Sequence, residues 1–318
     1  MGMDKNTSGF GRLEGIDSRR RPPQTCSVKQ PESIKPERAV LSMKRTMMLA
    51  ALLAATAILP AAAQEETWST ADKEGVIAAA MDYMDGALNV DTERVARGVH
   101  EELNKVMVRT LPQTGKQILV YNTRTTLVEA VRGIAARVAN VDKTVSVTIF
   151  DIDHDLALAR AVGALWYDYL QLAKIDGQWK IVNVLWARNE LANGEGRNTD
   201  ADAAAVEAVA LDYVDGAFSG DAGRVARVTH TELNSVQLRQ HAETGRQFLY
   251  KRGSGNLIES TRAGMDQWPE AERNIQVEIY DVSHDLAQVK VTSVATIKYL
   301  QVAKVDGVWK IVNTLWVH

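Results

Sequence analysis

Apolar positions along this chain follow a helical period, then an alternating one, and the whole series then begins again. Between residues 69 and 88, Val76, Ile77, Ala80, Tyr83, Met84, Ala87 and Leu88 recur at helical spacing, with Ser69 or Thr70 placed to cap the helix. Asp91 or Thr92 opens a short second helix carrying Val95, Ala96 and Val99. Strand-like pieces follow at 105–109 and 117–121, then a helix bearing Leu127, Val128, Val131 and Ile134. From residue 145 the period falls to two: Val145, Val147, Ile149 and Asp151 alternate with Ser146, Thr148, Phe150 and Ile152. A turn at Asp153-His154-Asp155 leads into a long strand through Tyr169, and Asp176-Gly177 marks a two-residue hairpin. Helices followed by a meander predict an α+β domain whose N-terminal helices cover one face of a curved antiparallel sheet.

The series restarts 130 residues later. Met81 to Trp186 aligns without a gap to Leu211 to Trp316, with about 44 of 106 columns identical, a period far above that of solenoid repeats. Val206, Val209, Ala210, Tyr213, Val214, Ala217 and Phe218 repeat the first helical stripe, and Asp306-Gly307 repeats the hairpin. The expected organisation is therefore two tandem copies of one domain, at 69–188 and 202–318, joined by a polar linker at 189–201.

The N-terminal region has a different composition. Met43-Lys44-Arg45, the apolar run Met47 to Leu59 and Pro60-Ala61-Ala62-Ala63 have the order of a secretory signal peptide, spanning 43–63 and cleaved before Gln64. The apolar run is short for a membrane span, and no stop-transfer pattern follows. Residues 1–42, rich in Arg, Lys, Pro, Ser and Gln, are expected to be a disordered basic extension; translation starting at Met43 is the alternative. Export places the protein in the periplasm or outside the cell. Cleavage removes Cys26, the single cysteine, which excludes disulfides, thiol catalysis and thiolate metal sites from the mature chain. It also removes 10 Lys+Arg and 5 Asp+Glu, leaving about 27 against 35, a net charge near −8. An acidic surface argues against nucleic acid and anionic lipid as partners.

The order of elements and the ending Tyr169-Leu170-Gln171-Leu172 … Asp176-Gly177-Gln178-Trp179-Lys180-Ile181-Val182-Asn183 resemble the nuclear-transport-factor-2-like superfamily. More narrowly, the chain resembles the group named putative lumazine-binding proteins, over almost the whole of both copies. The closing hairpin and Val99-His100 … Leu103 carry the most specific part of the likeness. The resemblance implies a cone-shaped sheet wrapped over helices with a pocket between them. It implies no fixed chemistry, because this scaffold hosts isomerases, dehydratases, cyclases and pure binding proteins.

A few polar residues stand out within the two copies. His100 and His230 are kept where the second helix meets the first strand; a neutral imidazole there can hold a ligand atom, or it can bond a terminal carbonyl. Pairing outward from the Asp176-Gly177 turn puts Asn183 opposite Leu170 and Leu185 opposite Asp168, so Asn183 and Asn313 become the polar residues of an apolar inner face. The same register sends Tyr169, Gln171, Val182, Val184, Trp186 and Trp316 to the outer face. Tyr83 and Tyr213 lie on the first helix's apolar stripe, packing in the core or lining a pocket mouth. His154 and His284 read as turn residues, and Asp85 as a partner of Arg94. Between copies, Trp166 and Asp168 become Thr296 and Lys298, so two pockets would differ in what they accept. No metal-ligand spacing, phosphate-binding loop or nucleophile motif occurs, and no cofactor is expected.

The sequence thus predicts an exported protein binding a small organic ligand in one pocket per domain, without catalysis. The ligand-binding candidates are Tyr83, His100, Asp168, Asn183, Tyr213, His230 and Asn313. A lyase or isomerase using His100 with Asp168 is the enzymatic alternative. A structural module pairing through the outer sheet face is a third reading, and that face is also where the two domains are expected to pack as a pseudo-dimer.

Overall fold

The computed structural model describes residues 68–189 and 199–318. The expected basic extension, the signal peptide and most of the linker lie outside these residues. Each copy opens with a long helix, α1 (Thr70–Leu88) or α5 (Asp200–Ser219), and a short one, α2 (Thr92–Gly98) or α6 (Ala222–Val228). In the first copy β1 (Val99–Thr110), β2 (Gln117–Asn122), α3 (Arg124–Gly133), α4 (Ala135–Val138), β3 (Ser146–Asp153), β4 (Leu156–Val162), β5 (Trp166–Ile175) and β6 (Gln178–Arg188) follow. The second copy continues with β7 (Thr229–Gln240), β8 (Gln247–Arg252), α7 (Ser254–Arg262), β9 (Gln276–Ser283), β10 (Leu286–Thr292), β11 (Ile297–Val305) and β12 (Val308–Val317). The expected long strand through Tyr169 is two strands, because Gly163 begins a turn in which its own N–H bonds the Trp166 carbonyl at 3.0 Å.

Local chemistry sets the helix ends. The Ser69 hydroxyl accepts from the Asp72 N–H at 3.1 Å, and Asp91 caps α2 through the Arg94 N–H at 3.0 Å. The Asp72 carboxylate then reaches the β5–β6 hairpin, accepting from Lys174 at 2.8 Å and from the Trp179 indole at 3.0 Å. Asp202 does the same with Lys304 and Trp309, so the first helix of each copy is pinned to the end of its sheet. At the hairpin tip Asp176 and Gly177 both have positive φ, 49° and 83°, as a two-residue turn of this type requires. His154 and His284 also have positive φ and sit in turns.

Each copy forms one six-stranded mixed sheet, in the orders β2-β1-β6-β5-β4-β3 and β8-β7-β12-β11-β10-β9. Four of the five pairings are antiparallel; β1 with β6, and β7 with β12, run parallel because the helix α3 or α7 and the meander separate them in the chain. The helices bury one face. Val76, Ala80, Tyr83 and Met84 of α1 pack with Leu170, Leu172, Ile181 and Val184 of the sheet, and the second copy repeats this core.

A β-bulge decides which residues share that face. Leu172 opposes Ile181 as the hairpin register predicts, but Gln171 opposes Asn183, so Val182 is the extra residue on β6. The copy repeats it at Val312, between Val302↔Ile311 and Gln301↔Asn313. Beyond the bulge every β6 residue changes face. Asn183 and Leu185 turn outward, whereas Val184 and Trp186 turn inward. Tyr169, Leu185 and Val106 of the first copy accordingly pack with Leu286, Ala303 and Val312 of the second, and Leu156, Leu158 and Val182 with Val236, Leu238 and Tyr299. Buried amides cross between these faces: Gln171 donates to the Tyr299 carbonyl at 3.0 Å and Gln301 to that of Tyr169 at 2.9 Å. Asn234 donates to Asn183, and Asn104 to Asn313, each at 2.8 Å.

Candidate functional site

Between its helices and its sheet each copy holds a cavity, of about 130 Å³ in the first and about 250 Å³ in the second. In the first, α1 supplies Tyr83, β1 supplies Lys105, and β5 and β6 supply Trp166 and Trp186. Asp168 lies behind them. It accepts from Lys105 Nζ at 2.8 Å and from the Tyr83 hydroxyl, and all three side chains are buried. Lys105 Nζ also lies 4.3 Å from the centre of the Trp186 ring. Burial, reinforced by the Asp168 charge, pushes the Tyr83 phenol well above its ordinary value. Burial pulls Lys105 down, and Asp168 opposes it. Among the described residues, Asp168 Oδ1 and Trp186 Nε1 are buried without a hydrogen-bond partner.

The second cavity has the same plan with different charges. Ser235 stands where the first copy has Lys105, and Lys298 where it has Asp168. The Ser235 hydroxyl is bonded to Thr314 at 2.8 Å. Lys298 faces the cavity with Nζ 3.7 Å from the centre of the Trp316 ring, and among the described residues no carboxylate lies within ion-pairing distance of it. Burial pulls its amine down to about 7, with Asp266 acting to raise it and Arg252 to lower it further. Arg252, Asp266, Thr296 and Trp268 complete the polar and aromatic wall. Among the described residues no group of His, Cys, Asp or Glu side chains has a metal-binding arrangement.

A profile of the family described as "Putative lumazine-binding" matches residues 71–187 and again residues 201–317. The chain belongs to this family. It carries the family's domain twice, each copy an α+β fold with its own helix–sheet cavity. Among solved structures it is similar to an NTF-2-like protein of unknown function from Silicibacter pomeroyi DSS-3, at 21% identity and a TM-score of 0.31, over 38% of this chain and 98% of that one. An NTF2-like protein of unknown function from Shewanella baltica OS155 is similar at 13% identity and a TM-score of 0.30, over 38% and 96%. A ketosteroid isomerase-like protein from Erwinia carotovora atroseptica SCRI1043 matches at 18% identity and a TM-score of 0.28, over 37% and 97%. No curated protein matches the chain.

Within this lumazine-binding-family fold, the seven candidates from the sequence do not share one kind of site. Tyr83, Asp168 and Tyr213 belong to the helix–sheet cavities. Asn183 and Asn313 do not: both are fully buried on the opposite face and bonded to Gln171 and Gln301 at 2.8 Å, because the bulge reverses the register that placed them inside. Trp186 and Trp316, expected outside, line the cavities for the same reason. His100 lines a separate surface hollow of about 510 Å³ with Arg97, Arg124 and Lys180, so it does not meet Asp168. Its Nδ1 accepts the Glu102 N–H at 3.1 Å, and His230 does the same with Glu232. Burial lowers both imidazoles below the usual value. Arg94 pairs with Asp85, as expected, and with Asp82 at 3.1 Å.

Lys105, Arg252 and Asp266 were missed. The signal for the first was present in the repeat: where Asp168 becomes Lys298, Lys105 becomes Ser235. A paired change at positions 63 apart in each copy removes an ion pair as a unit, which is what contact between them produces.

Proposed function

We propose that this chain is an exported protein that binds small organic molecules, one in each helix–sheet cavity, without transforming them. The observation that carries this reading is the pair of cavities, each with an apolar wall, a tryptophan at the same position and a few charged or hydroxyl groups at its polar end. Membership of a family described as lumazine-binding supports a small ligand. The separation of His100 from Asp168, and the engagement of Asp168 by Lys105 and Tyr83, weigh against the lyase or isomerase reading. The amide and apolar contacts between the outer sheet faces favour a covalent pseudo-dimer, a single chain doing what two identical domains would do by pairing.

Native mass spectrometry of protein purified without refolding tests the binding reading. A co-purified mass above that of the polypeptide, lost on denaturation, is expected; its absence, with no small molecule raising the melting temperature, would overturn the reading. Intact mass tests export, since a chain recovered from periplasm or medium should begin at Gln64. Light scattering of that chain, residues 64–318, should give a monomer.

A further inference from the structure

Two cations converge on one ring in the second cavity. Lys298 Nζ lies 3.7 Å and the Arg252 guanidinium 5.4 Å from the centre of Trp316. Among the described residues neither has an ion-pair partner, and Asp266 is the one acidic side chain in the wall. Phe218, Leu257 and Trp268 add an apolar side to a wall that also holds Tyr213, Thr296 and His318. The first copy has Asn122 and Asp168 at the corresponding positions, and there Asp168 neutralises Lys105, while the exposed Arg137 lies at the wall. Two partly desolvated cations facing a single acidic side chain carry a desolvation cost that is not offset within the wall. An incoming anion offsets that cost by forming charge-assisted hydrogen bonds.

We propose that the cavity of the second domain takes a small aromatic carboxylate, its ring against Trp316 and its carboxylate between Lys298 and Arg252. The assignment rests on the binding function proposed above and names the ligand class for one of its two sites. The first domain is the poorer carboxylate site, because Asp168 would repel a second anion and Lys105 is already engaged, which leaves the exposed Arg137 as the one other cation of its wall. The groups facing Lys298 are Arg252 of β8, Asp266 after α7, Tyr213 of α5 and His318 after β12. Because burial holds the amine at about 7, binding an anion draws a proton onto it. Affinity for the acid therefore falls as pH rises above 7, by up to about tenfold per pH unit.

Titration calorimetry of the two-domain protein with benzoate, naphthalene-2-carboxylate and indole-3-acetate, each against its neutral amide, tests this. At least one acid should bind with one site per chain and at least tenfold more tightly than its amide, with the preference shrinking between pH 7 and pH 9. Lys298→Met and Arg252→Gln should each reduce the preference at least fivefold; circular dichroism checks that both variants fold, and either variant alone suffices. Equal binding of acid and amide, two equal acid sites per chain, or a preference intact in both variants overturns the carboxylate assignment and leaves the binding function standing. No binding of any acid overturns it as well, and the co-purified mass then decides the binding function separately.

Discussion

Lys105 and Asp168 form a buried ion pair at 2.8 Å in the first domain, and the second domain replaces both partners together, with Ser235 and Lys298. The same cavity position thus carries a neutralised pair in one copy and, among the described residues, an amine without an ion-pair partner in the other. One copy of the site holds a charge-neutralised polar centre and the other a cationic one.

Breaking the pair should cost more than it contributes. Asp168→Ala leaves Lys105 buried beside Tyr83 and Trp186 without a counter-charge, and should destabilise the first domain by about 3–5 kcal/mol. The double variant Lys105→Met with Asp168→Leu should recover most of that loss. Urea denaturation of both proteins checks it; equal destabilisation by the double variant would show that the pair itself, and not the orphaned charge, sets the cost.

Lys298 gives a pH signature of the opposite kind. A lysine whose folded-state value is depressed to about 7 penalises the fold fully below pH 7. As pH rises the folded protein sheds this proton while the unfolded chain keeps it to about pH 10.4, so the penalty is relieved across that window by at most about 1.4 kcal/mol per pH unit. Lys298→Met should therefore be more stable than the parent at pH 6, and the difference should shrink by pH 9. Denaturation at both pH values measures it, and a constant difference would contradict the burial of the charged amine.

Asn183 should behave as a structural residue between the domains. Asn183→Ala strands Gln171 and Asn234 in a buried interface and should cost about 1–3 kcal/mol, while ligand affinity at either cavity stays unchanged. A double-mutant cycle of Asn183 with Asn234 should show coupling above about 0.5 kcal/mol despite their belonging to different copies. Additive effects would argue against the contact.

His100→Ala should have small effects on both counts. The side chain accepts one N–H, from Glu102, so stability should fall by about 0.5–1.5 kcal/mol. Binding in the helix–sheet cavity should be unaltered, because His100 lines the surface hollow with Arg97 and Lys180. A tenfold loss of affinity in a variant of unchanged melting temperature would return His100 to the site.

Periodicity and repetition determined most of the architecture. The stripe Val76, Ala80, Tyr83, Met84 has meaning only as one face of a helix, the alternation after Val145 only as a strand, and the 130-residue displacement only as a duplicated domain. Asp176-Gly177 fixed the hairpin turn and with it the register as far as Leu172 and Ile181. These are local properties, decided by residues within a few positions of one another. Tertiary structure decided which of the candidate residues come together in the site. One extra residue, Val182, has no distinguishing composition, yet it exchanges the faces of Asn183 and Trp186, because side chains alternate strictly and a single insertion inverts everything beyond it. The partnership of Lys105 with Asp168 likewise depends on β1 lying parallel to β6, a pairing of strands about 80 residues apart that no local pattern encodes.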